Sequence, residues 1–461
     1  MIKKNIVVIG SGLTGLTSAH YFNKANADFI VLEKKDTYGG VIQTVTENGF
    51  VFENGPNTGV LGTVEIAELF EEVADECKLE LADETSNKRY ILKTGKWEAI
   101  PSGLIGGIKT PLFTLKDKFR LLLEPFRKKG TNPHETLAEL VKRRMGQSFL
   151  DYAVDPFILG VYSGDPNYLV PKYALPKLYN LEQDYGSFIG GSIKKGFEKK
   201  DDQSKKVTRK VFSAEGGLSN LTKALFKSAG QENFIFNAGN IQISKVDKGY
   251  LVKYENNGQI SEIQADKIIT TTDSFELENL LPFIPKEKMA KITNLKYARV
   301  IEIVLGFENW EGIELDGFGG LIPFKENRDV LGFLFLSSFL KNKAPKNGAL
   351  LTLFVGGTRK DYLNDLSDDE IKKLVEKETK DLMGIKEFNP KLFKIFRYKK
   401  AIPQYGVTSG ERFDTVEEIE KTNKGLYIGG NHKDGIGMAD RAKQGKTLAY
   451  NALQYISNSL D

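Results

Sequence analysis

The 461-residue sequence predicts an α/β protein. A parallel-sheet domain is assembled from separated stretches of chain, with a helical segment and an α+β body inserted between them. Three observations predict this. An apolar run, Ile6–Ile9, feeds directly into Gly10, Gly12 and Gly15. A second run, Phe29–Leu32, ends on an acid, Glu33. The chain closes on a further strand, glycine turn and helix, from Gly425 to Ile456. The length exceeds what one ordinary core accommodates, so two domains or more are expected.

The first motif has the spacing G-x-G-x-x-G between strand and helix, with the acid about 20 residues beyond. Gly10 permits the tight turn, Gly12 admits a pyrophosphate to the backbone, and Gly15 lets the helix pack close to the sheet. Ser11, Leu13 and Thr14 complete the predicted phosphate turn, whose unpaired N–H groups lie at a helix N-terminus. Glu33 is the expected ribose acceptor, with Lys34 beside it. An ordinary glycine turn in a parallel sheet is the plainer alternative. Gly39, Gly40 and Val41 follow, then a strand at Gly49–Glu53 and Gly55-Pro56. A glycine pair so soon after the ribose acid resembles FAD proteins of the amine oxidase and carotenoid desaturase type. NAD dehydrogenases normally lack it. A surface turn is the alternative at this position.

Further along, a helix is expected near Val64 to Ala74, with Ile66, Leu69, Phe70 and Val73 on one face. Residues 89–196 read as mostly helical and apolar. The run at 199–210, KKDDQSKKVTRK, reads as a solvated loop. Phe212–Leu225 reads as strand, Gly-Gly turn and helix. Strands are expected at Ile241–Val246 and Tyr250–Tyr254, and Ala265–Thr270 is expected to return to the first sheet. Residues 297–400 read as strand-rich, with one helix at Asp368–Met383. The expected division is therefore a cofactor domain of residues 1–85, 205–290 and 400–461. A helical segment at 86–204 and a strand-rich substrate domain at 291–399 make up the rest.

Lys plus Arg total 65 against 61 Asp plus Glu, so no nucleic-acid footprint is expected. The one cysteine, Cys77, excludes an internal disulfide and reads as core filler in an apparent helix. His20, His134 and His432 lack ligand spacing, so no metal site is expected. No apolar stretch approaches the length of a membrane span. Met1–Asn5 leads straight into the first strand without a signal peptide, and a cytoplasmic protein is expected.

In the closing segment, Gly430 and Asn431 follow a short strand, and Ile436, Gly437 and Met438 precede the last helix. A flavin gains negative charge at its N1–C2=O edge on reduction. A helix N-terminus there supplies free N–H groups and a positive dipole end. A covalent link through His432 is an alternative, but non-covalent FAD is expected.

Asp155–Pro166, DPFILGVYSGDP, carries a family resemblance. It is similar to the DPF…GDP segment of the oxygen-dependent protoporphyrinogen oxidases. Asn87–Tyr90 resembles that family's N-K-R-Y, Leu122–Pro125 its L-L-E-P, and Phe212 to Leu218 its F-x-GGM. Gly317–Pro323 resembles G-F-G-x-L-x-P, Ala401–Tyr405 resembles A-x-P-x-Y, and Gly430–His432 resembles G-N-H. The likeness runs end to end. Ala214-Glu215 and Lys433-Asp434 depart from the pattern, which bears on local loop shape. The resemblance implies FAD-dependent six-electron oxidation of protoporphyrinogen IX to protoporphyrin IX, with oxygen as acceptor and hydrogen peroxide as product. Coproporphyrinogen III is the alternative substrate. An amine oxidase or desaturase, or a flavin-fold porphyrin carrier without turnover, is more distant. No general base is implied, since a methylene bridge can give up hydride while the pyrrole proton leaves to solvent.

The resemblance also implies roles. Arg89 would pair with a propionate. Leu321, Phe339 and Leu340 would line the macrocycle, or equally form core. Ser163 lies in the GDP loop, Tyr398 near FAD, and the Ile241 backbone at adenine. Leu112, Leu115, Phe119, Leu122 and Phe126 recur at helical spacing among Lys116, Lys118, Arg120, Arg127, Lys128 and Lys129. This reads either as a core-facing helix with a solvated back or as a basic amphipathic helix on an anionic bilayer. The family's insertion of this region into one leaflet favours the second. A peripheral membrane position is thus expected, and a homodimer is left open.

Overall fold

The structure is a computed structural model that describes residues 2–197 and 205–457. Part of the expected charged loop at 199–210 lies outside the described residues.

The first seven-stranded sheet is built from remote pieces of chain. Its order is Phe234–Ile235, Phe29–Leu32, Ile2–Ile9, Gln259–Thr270, Tyr250–Asn256, Gly239–Lys245. Ile2–Ile9 pairs in parallel with Gln259–Thr270 from Ile2↔Ile263 to Ile9↔Thr270. The long strand Gln259–Thr270 serves two neighbours in succession. Tyr250–Asn256 runs antiparallel along its first part, and Leu426–Ile428 runs parallel to Ile268–Thr270. Four consecutive buried residues, Ile6–Ile9, explain the placement at the sheet centre, because a strand covered on both faces reads as a continuous apolar run. The helices Leu13–Lys24 and Met438–Ser457 pack together beside this sheet, with the Ser18 hydroxyl donating to the Gly445 carbonyl at 2.8 Å.

The second sheet also has seven strands, in the order Leu392–Pro403, Tyr297–Phe307, Ala349–Gly356, Val330–Leu334, Gly319–Leu321, Arg89–Lys93, Lys96–Ala99. Arg89–Lys93 joins it in parallel with Gly319–Leu321, and every other pairing is antiparallel. The helical reading of residues 89–196 is thereby corrected at its start. Arg89-Tyr90-Ile91-Leu92 and the Thr94-Gly95 turn form a hairpin, and both turn residues have φ near +50° to +77°. A local helical pattern gave no hint of a partner strand some 230 residues away by register with Gly319. The Asp368–Met383 helix lies where the sequence places it, between a Ser367 capping box and a left-handed Gly384.

The remaining insert is helical. Leu137, Leu140, Val141, Leu150, Ile158 and Leu169 form its apolar core, and a buried charge cluster stands beside them. Arg144 is fully buried and reaches Glu124 Oε1 at 2.5 Å and Glu182 Oε1 at 2.6 Å. Glu124 also accepts the Ser187 hydroxyl at 2.6 Å and the Phe188 and Ile189 N–H groups at 3.0 and 3.1 Å, so it caps the Phe188–Phe197 helix. Burial works to raise both carboxyls. Hydrogen bonds from Ser187, Phe188, Ile189 and Arg144 to Glu124, and from Arg143 and Arg144 to Glu182, outweigh it and hold both below the usual range. This is the work of the L-L-E-P segment.

The expected helix through Leu112–Phe126 is shorter: Leu115–Leu122 is helical, capped by Thr114 and Asp117, and Glu124–Phe126 is a separate 3-10 turn. The core-facing reading is overturned: only Leu112 is buried, while Leu115, Phe119, Leu122 and Phe126 are between 64% and 83% exposed. Cys77 is buried but follows the helix Val64–Glu72 instead of lying within it.

Breaking one partner out of a buried ion cluster leaves the others uncompensated, at a cost of about 3–5 kcal/mol. Arg144→Ala is therefore expected to lower the urea midpoint by that equivalent, without first changing the spectrum of bound flavin. A loss below about 1 kcal/mol would show that the cluster is solvated.

Candidate cofactor and substrate site

Three glycine turns converge at the C-terminal ends of the parallel strands. Gly10 has φ +101°, and a Cβ there would lie 2.8 Å from Thr271 Oγ1. A Cβ on Gly15 would lie 2.0 Å from the Gly10 carbonyl oxygen, so helix and strand meet backbone to backbone. Gly12 has open space where its Cβ would be. The second loop folds onto the first. Gly39 N–H donates to the Ser11 carbonyl at 2.9 Å, and a Cβ on Gly40 would stand 3.0 Å from Gly12 Cα. The closing turn joins through Gly429 N–H to the Thr270 carbonyl at 2.7 Å. Thr14 Oγ1 donates to the Arg441 carbonyl at 3.3 Å. A dinucleotide needs this cradle: open backbone at Gly12, N–H groups at the start of Leu13–Lys24, and a second helix start beside it.

Glu33 lies at the cradle's edge. Its Oε2 accepts both the N–H and the hydroxyl of Ser11 at 2.8 Å, and its Oε1 accepts Lys35 N–H at 2.9 Å. A carboxylate offers about four acceptor positions, so one remains for a ribose hydroxyl. Glu33 thus also ties the phosphate turn to the second strand. Lys34 turns away to pair with Glu276 at 3.0 Å. Ala238 N–H donates to the Glu33 carbonyl at 2.9 Å, which brings Ile241 and the irregular register at Gly239–Gln242 to the same edge.

At the closing turn, Asn431 accepts the Tyr297 hydroxyl at 3.2 Å on Oδ1 and the Tyr405 hydroxyl at 2.6 Å on its carbonyl. Gly437 N–H is already taken by Asp440 at 3.0 Å, so the N–H groups from Met438 onward are the ones the helix start presents. Ile436 packs on the helical insert. His432 is fully buried, and burial first, then Lys433, Arg441 and Arg412, hold its imidazole well below the usual range and neutral. The Cys77 thiol is pushed up to about 11, by burial and then by Glu215, and lies among core residues.

The residues read as substrate contacts fall into two groups. The exposed Arg89 guanidinium sits 5.0 Å from the Phe318 ring, which stacks at 4.8 Å on Phe339. Among the described residues no carboxylate pairs with Arg89, so it keeps its donors free. Phe339 and Leu340 are buried with Phe50, Phe52 and Val304, in the core of the second sheet. The second group is Leu321, half-buried against Ile91, Leu112 and Tyr152, with the Gly160 backbone so close that a Cβ would stand 2.6 Å away. Gly160 belongs to the helix Asp155–Tyr162, which ends on Ser163 in a left-handed conformation, φ 45°. Ser163 is buried and its carbonyl accepts Thr358 N–H at 2.8 Å. Asp155 fixes the other end of that helix by accepting Phe324 N–H at 2.8 Å and pairing with Arg359. A π-turn at Leu150–Val154 precedes it.

Sequence reasoning missed a buried polar cluster that joins the second sheet to the small hairpin Gln43–Glu47 and Phe50–Asn54. Tyr398 meets Asn54 and Glu302, and Asn57 meets Glu302 and Thr352. The signal was an acid inside an apolar strand, at Glu302 in Val300–Phe307.

A model of the family of flavin-containing amine oxidoreductases matches residues 13–451. The mitochondrial protoporphyrinogen oxidase of Nicotiana tabacum is 28% identical, over 99% of this chain and 96% of its own length. The coproporphyrinogen III oxidase of Bacillus subtilis is 26% identical, over 98% and 99%. The crystal structure of a "putative protoporphyrinogen oxidase" from Exiguobacterium sp. 255-15 superimposes with a TM-score of 0.80 at 22% identity, covering 98% and 99%. Reduced UDP-galactopyranose mutase gives 0.74 at 15%, covering 98% and 96%. The shared architecture is the mixed α/β fold of flavin amine oxidases.

Removing the Glu33 carboxylate deletes a charged acceptor worth about 1.5–3 kcal/mol. Glu33→Ala should therefore weaken FAD binding roughly 10- to 150-fold in a fluorescence titration. An unchanged dissociation constant in a folded variant would remove Glu33 from the cofactor site.

Proposed function

The chain belongs to the family of flavin-containing amine oxidoreductases and is an FAD-dependent oxidoreductase, and from this premise we propose that its substrate is a porphyrinogen. The favoured reaction is six-electron oxidation of protoporphyrinogen IX to protoporphyrin IX, with molecular oxygen as acceptor and hydrogen peroxide as product. The observation that carries the reading is the Asp155–Pro166 segment. It is pinned by Asp155 at one end and by Ser163 at the other, and it lies against Leu321 on the second sheet. The names of the relatives support it. Bound FAD supplies the two-electron acceptance that each of three successive steps needs.

The chain's own residues then bind and orient. A porphyrinogen is a flat apolar macrocycle with carboxylate tails. Leu321 and the apolar face of the Asp155–Tyr162 helix offer it a wall. Arg89 offers an unpaired planar fork for one propionate, on the strand paired with Gly319–Leu321. The pyrrole protons leave to solvent, so no side chain need act as base. FAD is held without a covalent link, since Cys77 lies in the core and His432 is fully enclosed.

Coproporphyrinogen III is a second reading, because relatives of that name match the chain over nearly its whole length. Its two additional propionates demand more cations than Arg89. Fluorescence-monitored turnover of both porphyrinogens side by side tests the proposal: production of neither porphyrin, with FAD bound, would overturn it. Arg89→Ala should raise KM much more than it lowers kcat, because a remote propionate contact is similar in ground and transition states. The expected loss in kcat/KM is roughly 10- to 150-fold, from a pair worth about 1.5–3 kcal/mol. Arg89→Lys should recover part of it. Wild-type KM in the alanine variant would make Arg89 a surface residue.

We propose a peripheral position on the cytoplasmic side of an anionic bilayer, and the exposed apolar residues Leu115, Phe119, Leu122 and Phe126 support the bilayer contact. Among the described residues no helix is long and apolar enough to cross a membrane. Lys118, Arg120, Arg127 and Lys129 donate to backbone carbonyls and hold the segment together. Phe119→Ser with Phe126→Ser, and Lys116→Gln with Lys128→Gln, are therefore the cleaner variants. They should lose binding to anionic vesicles while detergent-phase turnover persists. Unaltered vesicle binding would reject the membrane position.

A further inference from the structure

Glu302 interrupts the apolar strand Tyr297–Phe307, whose residues from Val300 onward are all buried. Its side chain is 1% exposed. Asn57 Nδ2 donates to Oε1 at 2.6 Å, and Gly55 N–H donates to Oε2 at 3.3 Å. The Tyr398 hydroxyl stands 3.0 Å from Oε2 and 2.6 Å from Asn54 Oδ1. One hydroxyl carries one proton. The shorter contact to Asn54 competes for it, so Glu302 Oε2 shares the Tyr398 proton instead of receiving a full hydrogen bond.

The charge count agrees. Two carboxyl groups, Glu53 and Glu302, are buried in this region, with one buried ammonium, Lys343. Lys343 stands 3.5 Å from Glu53. Glu53 further accepts the Thr44 hydroxyl at 2.7 Å and Leu218 N–H at 3.1 Å, both suited to an anion. Glu302 has no cation among its partners, only amide and phenol groups.

The cluster connects to the cofactor cradle by direct backbone contact. A Cβ on Gly55 would lie 2.0 Å from the Val41 carbonyl oxygen. Val41 follows Gly40, whose own Cβ would meet Gly12. The turn Asn54–Asn57 thus backs the second glycine loop, and the second loop backs the first. Thr352 holds the far side of Asn57 at 3.1 Å.

We infer that Glu302 is kept as a neutral carboxylic acid and is the positioning residue of the second glycine loop, seating Gly55 and Val41 against the cofactor through its bonds to Asn57, Gly55 and Tyr398. The inference rests on the reading of Gly12, Gly40 and Val41 as the FAD cradle. Burial pushes the Glu302 carboxyl up to about 7; Asn57, Tyr398 and Gly55 pull against this, and Glu53 adds to it. The titratable groups that face it are Glu53, Lys343 beyond Glu53, and Tyr398. Asn54, Asn57 and Thr352 complete the surroundings. A raised folded value means that the folded protein holds the proton where the unfolded chain releases it. The stability contributed by this group is full below the ordinary glutamate value and is lost as pH rises through about 7.

The test compares wild-type holoprotein with Glu302→Gln, which keeps the shape and neutrality without titrating. The FAD dissociation constant and the unfolding midpoint are followed from about pH 6 to about pH 8.5. In the wild type, FAD binding should weaken by up to roughly tenfold per pH unit above the midpoint. In Glu302→Gln both pH slopes should flatten. Equal slopes in the two proteins overturn the inference. A wild-type FAD affinity that is constant over that range overturns it without any variant. Absence of FAD binding at every pH would instead reject the cradle, and substrate turnover enters neither measurement.

Discussion

The parallel pairing of Ile2–Ile9 with Gln259–Thr270 is the contact on which the remainder is built. It closes a loop of more than two hundred residues by register, at an entropic cost that grows only slowly with length. Once formed, it places the Gly10 turn beside Thr271, and Thr270 then receives Leu426–Ile428 on the same strand. The two ends of the chain meet there. The stretches between them return to this sheet as Phe29–Leu32, Phe234–Ile235, Gly239–Lys245 and Tyr250–Asn256, and the rest is inserted.

Glycine makes that meeting possible in a specific way. Between the Gly15 helix and the Gly10 strand, and between Gly55 and Val41, the space for a Cβ is filled by a carbonyl oxygen about 2.0 Å away. Any side chain at Gly15 or Gly55 would push apart the elements that frame the site. Gly12 is different, with nothing near its absent Cβ. The first pair of glycines serves packing, and Gly12 serves access. Spacing alone cannot distinguish these uses, although the motif announces both.

Local signals were legible where local physics decides. The glycine turn, the Asp368–Met383 helix with its cap and the closing helix follow from a few neighbouring residues each. The Arg89–Ala99 hairpin was not legible, because its place is set by Gly319–Leu321, far along the chain. The roles of Phe339 and Leu340 were undecidable from type, since a wall and a core use the same residues; their burial with Phe50 and Phe52 decides it. Glu124 and Asp155 stood out as motif letters, but their jobs, one capping a helix and one receiving a loop N–H, required coordinates. Glu302 was visible as an acid in an apolar strand. Its partners come from two separate stretches of chain, Gly55 with Asn57 and Tyr398, so its meaning was not.

Within the helical insert, the Leu115–Leu122 helix inverts the usual amphipathic rule, and its energetics explain why. In most surface helices the apolar stripe faces inward and the charges face water. Leu115–Leu122 buries none of its residues. It is held instead by its polar atoms: the Thr114 cap, Lys118 on the carbonyls of Ile108 and Thr110, and Arg120 on the carbonyl of Lys142. The chain after it leads to Glu124 and the buried Glu124–Arg144–Glu182 cluster. Such clusters contribute little net stability compared with apolar packing, but their geometry is demanding. The exchange leaves Leu115, Phe119, Leu122 and Phe126 on the outside. A soluble protein rarely exposes such a surface without something to cover it. Lys118, Arg120, Arg127 and Lys129 are therefore not a solvated back to an apolar core; they are the fastening that turns the apolar side outward.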